Sequence, residues 1–225
     1  MRPLGSGPAG ASPRRCGGSG ATGPLPSAEE TLADAVEQFP RLVLLCSFQK
    51  EESVIVDALT RLDRPLPRIV TIDTGALFPE TLETWRAFEE RFGVRVEVED
   101  ARGDWTGPEH CCSSAKVAAL ARALGGADGW ITGIRREQSP TRAGAQALEY
   151  DDARDMVKVN PLATWTERDL WTRIHERDLP YHPLHDQGYE SIGCVPCTRP
   201  GAGRQGRWAG SEKTECGLHV VPAAG

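Results

Sequence analysis

The chain has no long hydrophobic run. Its apolar stretches, such as LVLLC at 42–46, are far shorter than the roughly 20 residues that a helix needs to span a bilayer. The first residues also lack the succession of a basic segment, an apolar segment and a cleavage site that marks a secretory signal. We therefore expect no association with a membrane, and a cytoplasmic location.

An excess of positive charge and an even set of cysteines are also missing. The formal net charge is -6, whereas proteins that bind nucleic-acid backbones usually carry a basic excess. The 225 residues include seven cysteines, an odd number without the regular framework of small secreted domains. We therefore expect no nucleic-acid partner and no disulfide staples, and we interpret the cysteines as metal ligands or reactive thiols.

Composition divides the chain into three parts. Residues 1–26 consist mainly of Gly, Pro, Ser and Ala and contain little to bury, which predicts a disordered tail. Residues 27–200 are long enough to form one globular domain with a substantial core. We predict that residues 201–225 form a mobile C-terminal segment.

Short apolar strands alternate with amphipathic helices along the central part of the chain. Strands are predicted at 41–46, 68–73, 94–99, 130–135 and 157–162, and helices at 27–38, 52–62, 79–92, 113–124 and 166–176. This alternation predicts an α/β fold with a mostly parallel sheet and helices on both faces, followed by an irregular C-terminal segment. Ligands of such sheets bind beyond the carboxyl ends of the strands.

Four of the cysteines form two pairs, Cys111–Cys112 and Cys194-x-x-Cys197. The first pair lies at the start of a predicted helix, where the helix dipole favours thiolates. Four thiolates suit either structural zinc or a [4Fe–4S] cluster. Adjacent cysteines are unusual in zinc fingers, so the pattern favours iron–sulfur, and zinc stays open as the alternative.

A fifth cysteine, Cys216, lies in the terminal stretch TECGLHVVPAAG. A thiol on a mobile tail can enter a site, react as a nucleophile and withdraw for reaction with a second protein. The alternative is an incidental exposed cysteine.

Two kinds of segment could bind a small anion. The stretch SFQKEES follows the first strand and precedes a helix N-terminus, which suits one phosphate, although Ser47 could equally cap the helix. It lacks the glycines of the Walker pattern, which disfavours binding of a triphosphate. Arg142 in GIRREQSPTR, and Arg204 and Arg207 in GAGRQGRW, suit phosphate or sulfate oxygens, or else form solvated surfaces.

Taken together, these segments resemble the assimilatory adenylyl-sulfate reductases, the iron–sulfur branch of the adenylyl-sulfate and phosphoadenylyl-sulfate reductase family. The resemblance extends from about residue 41 to 219. It rests on SFQKEESVIVD, TIDTGALFPET, CC followed by KV, WITGIRREQSPTRA, VKVNPLATWTERDLW, GYESIGCVPCTRP, GRW and ECGLH. The order CC, C-x-x-C, ECGLH makes the resemblance highly specific.

The resemblance implies a role for individual residues and an adenine-nucleotide hydrolase-like α/β fold. The implied ligands of a [4Fe–4S] cluster are Cys111, Cys112, Cys194 and Cys197, and the implied nucleophile is Cys216. The implied substrate-binding residues are Ser47, Ile72, Lys116, Gly133, Arg142, Arg204 and Arg207. The family motif C-C-x-x-R-K-V is altered here, because Ala115 replaces its arginine.

The implied reaction is thioredoxin-dependent reduction of adenosine 5′-phosphosulfate (APS) to sulfite and AMP through an S-sulfocysteine, in sulfate assimilation and cysteine biosynthesis. Thioredoxin or a similar dithiol would be the partner, and a homo-oligomer is left open. A 3′-phosphate would need its own basic partner, so we expect APS to be preferred over the 3′-phosphorylated nucleotide (PAPS), unless Arg135 and Arg136 form such a clamp. The alternatives are a PAPS reductase, an adenylyl or thiolation enzyme of the same fold, and a zinc-stapled nucleotide-binding module.

Overall fold

The computed structural model describes residues 27–102 and 114–208. The helices are α1 (Ala28–Gln38), α2 (Lys50–Thr60), α3 (Pro79–Phe92), α4 (Ser114–Ala123) and α5 (Glu167–Arg177). The strands are β1 (Leu42–Leu45), β2 (Arg68–Asp73), β3 (Glu97–Asp100), β4 (Gly129–Ile131), β5 (Leu148–Asp151) and β6 (Met156–Val159).

The strands form a six-stranded sheet in the order β3-β2-β1-β4-β6-β5. All neighbours are parallel except β5 and β6, which pair antiparallel. The predicted α/β fold with a mostly parallel sheet is therefore confirmed. Within the described parts of the chain, no helix is long and apolar enough to cross a membrane.

Alternate residues of the central strands pack into two different hydrophobic clusters, as the pleat of a β-strand requires. Leu42 and Leu44 of β1 belong to the cluster that includes α1, α2, α3 and α5. Val43, between them, belongs to the cluster on the other face, which includes α4 and Trp208. Helices therefore cover both faces of the sheet, as predicted.

Some boundaries differ from the predicted ones. β5 was not predicted because its sequence, LEYD, is polar and three of its four residues are at least partly exposed. The strand predicted at 130–135 ends at Ile131, and the chain then turns through two short 3-10 helices, at Arg136–Gln138 and Pro140–Arg142. Helix α2 begins at Lys50, two residues earlier than predicted. At its start, the side chain of Glu52 accepts a hydrogen bond of 2.9 Å from the backbone N–H of Gln49.

Residues 188–208 form a hydrogen-bonded loop. The end of this loop folds back on the C-x-x-C segment, which lies within it. The backbone N–H of Arg199 donates to the Gly206 carbonyl, and that of Trp208 donates to the Cys197 carbonyl. Trp208 is buried. The predicted boundary at residue 200 thus falls within this loop, while the predicted tail at 1–26 and residues 209–225 lie outside the described residues.

Asn160 connects β6 to the segment that follows β4. Its side chain is completely buried, and its Oδ1 accepts a hydrogen bond of 2.6 Å from the Thr132 hydroxyl. Its Nδ2 donates to the Gln146 carbonyl and to Glu149 Oε1, both at 2.8 Å. One side chain therefore fixes both ends of the connection between β4 and β5.

Replacing Asn160 by leucine removes these three hydrogen bonds and leaves the buried Thr132 hydroxyl without this acceptor. We expect the free energy of unfolding, measured by urea denaturation, to fall by about 3 kcal/mol. The exposed Gln187→Leu is a control that should change stability by less than about 0.5 kcal/mol. A loss below about 1 kcal/mol for Asn160→Leu would contradict this role.

Candidate active site

A cavity of about 320 Å³ opens at the carboxyl ends of the central strands. Its wall includes Ser47 after β1, Ile72 in β2 and Thr132 after β4. In the sheet, β1 lies between β2 and β4. After β1 the chain adds β2 and β3 on one side of β1, and it then crosses to add β4 on the other side. Such a reversal of strand order is the usual place for a ligand in open α/β sheets.

All seven predicted substrate-binding residues line this cavity. They come from five segments: Ser47 from the β1–α2 turn, Ile72 from β2, Lys116 from α4, Gly133 and Arg142 from the β4–β5 connection, and Arg204 and Arg207 from the C-terminal loop. Residues far apart in sequence thus surround one volume. Four of the seven are cationic, so the cavity can receive an anionic ligand.

Two adjacent carboxylates that the sequence did not single out form another part of the wall. Burial raises the pKa of Glu51, but the charges of Lys50 and Arg135 and other interactions outweigh it and lower this pKa to about 2. Burial and the charge of Glu51 raise the pKa of Glu52 to about 8. At pH 7, Glu51 is therefore ionised and Glu52 largely protonated. In the sequence both resemble the acidic first turn of an ordinary helix.

Arg135 forms salt bridges with three carboxylates of the protein. Only 3% of its side chain is exposed, and it lies 3.1 Å from Glu51, 3.2 Å from Glu137 and 2.6 Å from Glu167. Arg136 is also engaged, since its Nε donates to the Ala145 carbonyl at 2.7 Å. Of the two arginines left unassigned by the sequence, Arg135 is therefore paired with carboxylates, and Arg136 is held against the backbone.

The guanidinium group of Arg207 is held by the C-terminal loop. Its Nη1 donates to the Ile192 carbonyl at 3.0 Å, and its Cζ lies 4.6 Å from the centre of a Trp208 ring. A β-carbon at Gly193 would approach the same guanidinium to 2.5 Å. The position next to Cys194 therefore needs glycine so that the arginine can lie against the backbone.

Cys194 and Cys197 are both buried, and Cys194 also lines the cavity. The Sγ of Cys194 lies 3.1 Å from the Thr74 hydroxyl, and the Sγ of Cys197 lies 3.6 Å from the Cys194 carbonyl. Both belong to the same buried cluster as Ala119 of α4.

The other three predicted cysteines, Cys111, Cys112 and Cys216, lie outside the described residues. Helix α4 begins at Ser114, two residues after Cys112 in sequence. Residues 27–102 and 114–208 contain no group of three or more candidate metal ligands. The thiols of Cys194 and Cys197, soft donors at the two ends of one short 3-10 turn, fit half of a zinc or iron–sulfur site.

The protonated state of Glu52 gives a prediction for stability. Its pKa is higher in the folded than in the unfolded protein, so the contribution of Glu52 to the free energy of unfolding should fall as the pH rises from about 5 to 8. Glu52→Gln removes this ionisation. We therefore expect the free energy of unfolding of the variant, measured by urea denaturation, to increase relative to that of the unmodified protein as the pH is raised from 5 to 8.

The exposed Glu176→Gln serves as the control and should show no such gain. An unchanged difference between Glu52→Gln and the unmodified protein at the two pH values would rule out a protonated Glu52.

Comparison with known proteins identifies a family for this chain. Residues 41–200 match the model of the phosphoadenosine phosphosulfate reductase domain. A phosphoadenosine 5′-phosphosulfate reductase of Gloeobacter violaceus is 44% identical, over 85% of this chain and 88% of the relative. An adenosine 5′-phosphosulfate reductase of Bacillus pumilus is 45% identical, over 80% of this chain and 84% of the relative.

Solved structures share the fold. The phosphate complex of phosphoadenylyl-sulfate reductase from Candida auris has a TM-score of 0.64 and 25% identity, and covers 75% of this chain and 88% of that one. FMN adenylyltransferase of Candida glabrata has a TM-score of 0.62 at 18% identity, covers 77% of this chain and 63% of that one, and shares the fold alone. On the sequence match, the chain belongs to the phosphoadenosine phosphosulfate reductase family, as its motifs predicted.

Proposed function

We propose that this protein reduces adenosine 5′-phosphosulfate to sulfite and AMP in the cytoplasm, with thioredoxin or a similar dithiol as reductant, in sulfate assimilation and cysteine biosynthesis. The observation that carries the proposal is the convergence of seven family-matched residues, from five segments, on one cavity. The Bacillus pumilus relative, which is 45% identical, is named an adenosine 5′-phosphosulfate reductase.

The cavity suits a nucleotide with a charged end. Its volume of about 320 Å³ falls in the usual range for small-molecule sites. We assign Ser47, Ile72 and Gly133, at the strand ends, to the nucleoside. Lys116, Arg142, Arg204 and Arg207 bind the phosphate and sulfate, because four cations offset the charge of this anionic group.

In the proposed reaction the Cys216 thiolate attacks the sulfur of the sulfate group. A sulfur–sulfur bond forms, the bond from that sulfur to the bridging oxygen breaks, and AMP leaves with the electron pair. A thiolate of the reductant then attacks Cys216 Sγ and releases sulfite. The second thiol of the reductant resolves the mixed disulfide, so that the dithiol supplies the two electrons.

Cys111, Cys112, Cys194 and Cys197 would hold a [4Fe–4S] cluster in this proposal. The support from the described residues is the burial of both thiols of the C-x-x-C pair and the position of Cys194 on the cavity wall. A bound cluster would supply an anionic, polarising group beside the substrate without passing electrons to it. Lys116, on the helix that follows Cys111 and Cys112, places a positive charge on the same cavity.

Cys216→Ser should abolish sulfite production while leaving the cluster in place, because the nucleophile is not a ligand. Iron and sulfide should remain at about four each per chain. Mass spectrometry should find the sulfo-adduct, after incubation with APS alone, in the unmodified protein and not in the variant.

Cys194→Ser is the matched variant and should instead lose iron. Zinc in place of iron in the active unmodified protein would contradict the proposed [4Fe–4S] cluster. Loss of iron in Cys216→Ser would show that the assignment of cysteines to ligand and nucleophile roles is wrong.

The identity of the nucleotide is a separate question, because one similar relative is named for APS and another for PAPS. A 3′-phosphate adds roughly two negative charges and needs a cation that is available to bind it. Arg135 lies between three carboxylates, and Arg136 is not among the described residues that line the cavity, so neither is placed to bind a 3′-phosphate there. The ionised Glu51 in the wall would also repel an added phosphate.

We therefore expect kcat/KM for APS to exceed that for PAPS by more than tenfold, with thioredoxin as the reductant. Arg136→Gln should leave this ratio unchanged. A preference for PAPS, reduced selectively by Arg136→Gln, would reverse the substrate assignment. ATP should not be turned over, which separates this function from that of adenylyl or thiolation enzymes.

A further inference from the structure

Gln138 lies in the β4–β5 connection, between the two predicted contacts Gly133 and Arg142, and lines the same cavity. It ends the short 3-10 helix Arg136–Gln138. The resemblance assigned no role to this residue, which in sequence is one polar residue of a turn.

The side-chain amide of Gln138 uses its complete hydrogen-bonding capacity. Its Nε2 donates to Glu51 Oε1 at 3.0 Å and to the Gly133 carbonyl at 3.1 Å. Its Oε1 accepts from the backbone N–H of Arg135 at 3.1 Å and from Arg142 Nη1 at 2.5 Å. Two donors and two acceptor sites are all that a glutamine amide has.

The chemistry of the partners fixes the orientation of this amide. The Glu51 carboxylate only accepts hydrogen bonds, because its pKa is about 2, and the Arg142 guanidinium only donates them. Rotating the amide by 180° would set its oxygen against the Glu51 carboxylate and its N–H groups against a guanidinium. Glutamine therefore adopts one orientation here, which a glutamate carboxylate could not reproduce.

Glu51 is itself held firmly, since both it and Arg135 are buried and lie 3.1 Å apart. Gln138 thus transmits the position of a rigid ion pair to the guanidinium of Arg142. Arg142 is largely buried and lines the cavity, so a small displacement would change what it can contact there.

We infer that Gln138 is a positioning residue that orients Arg142 toward the anionic part of the nucleotide. This inference rests on the proposed function, because it takes the ligand of the cavity to be an adenosine phosphate. Gln138 acts through Arg142 and is not itself required to contact the ligand.

The test is a double-mutant cycle on the affinity for AMP, measured by isothermal titration calorimetry with the full-length protein. Gln138→Met keeps the length of the side chain and removes all four hydrogen bonds. It should weaken binding about tenfold, as expected for loss of a hydrogen bond to a charged group. Arg142→Met should weaken binding at least as much.

The double variant should bind AMP within about twofold of Arg142→Met alone, because Gln138 has nothing left to orient. Independent, multiplied losses would overturn the inference. Gln187→Met makes the same substitution at an exposed position and should bind AMP like the unmodified protein. If the unmodified protein fails to bind either APS or AMP, the proposed function itself fails; normal binding by Gln138→Met overturns only the positioning role.

Gln138→Glu provides a second readout if the methionine variant does not fold. Its carboxylate would still accept from Arg142 but would face Glu51 without a donor, and protonation at lower pH would restore one donor toward Glu51. We therefore compare the AMP affinity of this variant with that of the unmodified protein at the same pH. The ratio of the two affinities should rise as the pH is lowered from 8 to 6. A ratio that does not change with pH would count against the inference.

Discussion

The buried ion pair between Arg135 and Glu51 holds together the segments that form the cavity. Arg135 follows β4 and Glu51 lies in the first turn of α2, and the residues are 84 positions apart in sequence. A buried charge without its partner destabilises a protein by about 3–5 kcal/mol. Glu167, at the start of α5, lies 2.6 Å from the same guanidinium. These charges are satisfied only when all three segments are in place, so the ion pair fixes the cavity wall.

Two glycines allow charged side chains to approach the backbone at this site. A β-carbon at Gly133 would lie 2.7 Å from Glu51 Cβ, and one at Gly193 would lie 2.5 Å from the Arg207 guanidinium. One glycine lies beside the acidic wall and the other beside Cys194. The absence of a side chain thus shapes the cavity wall at two positions.

Much of the fold could be predicted from the pattern of apolar residues. The parallel strands β1, β2, β4 and β6 are short apolar runs, which local periodicity identifies well. The antiparallel β5 could not be predicted in this way, because its polar side chains are those of an edge strand. Glu51 and Gln138 were missed for a related reason: an acidic helix start and a polar turn are common, and only their long-range partners give them a role.

The sequence by itself determined the alternation of strands and helices, the order of the cysteine motifs and thereby the family. These properties follow from local patterns and spacing. Only the tertiary structure decided among the three arginines of GIRREQSPTR, which are chemically identical. Arg135 is locked into carboxylates, Arg136 binds backbone, and Arg142 lines the cavity. The physical reason is that a guanidinium is directed by the charges around it, and those charges come from residues distant in the chain.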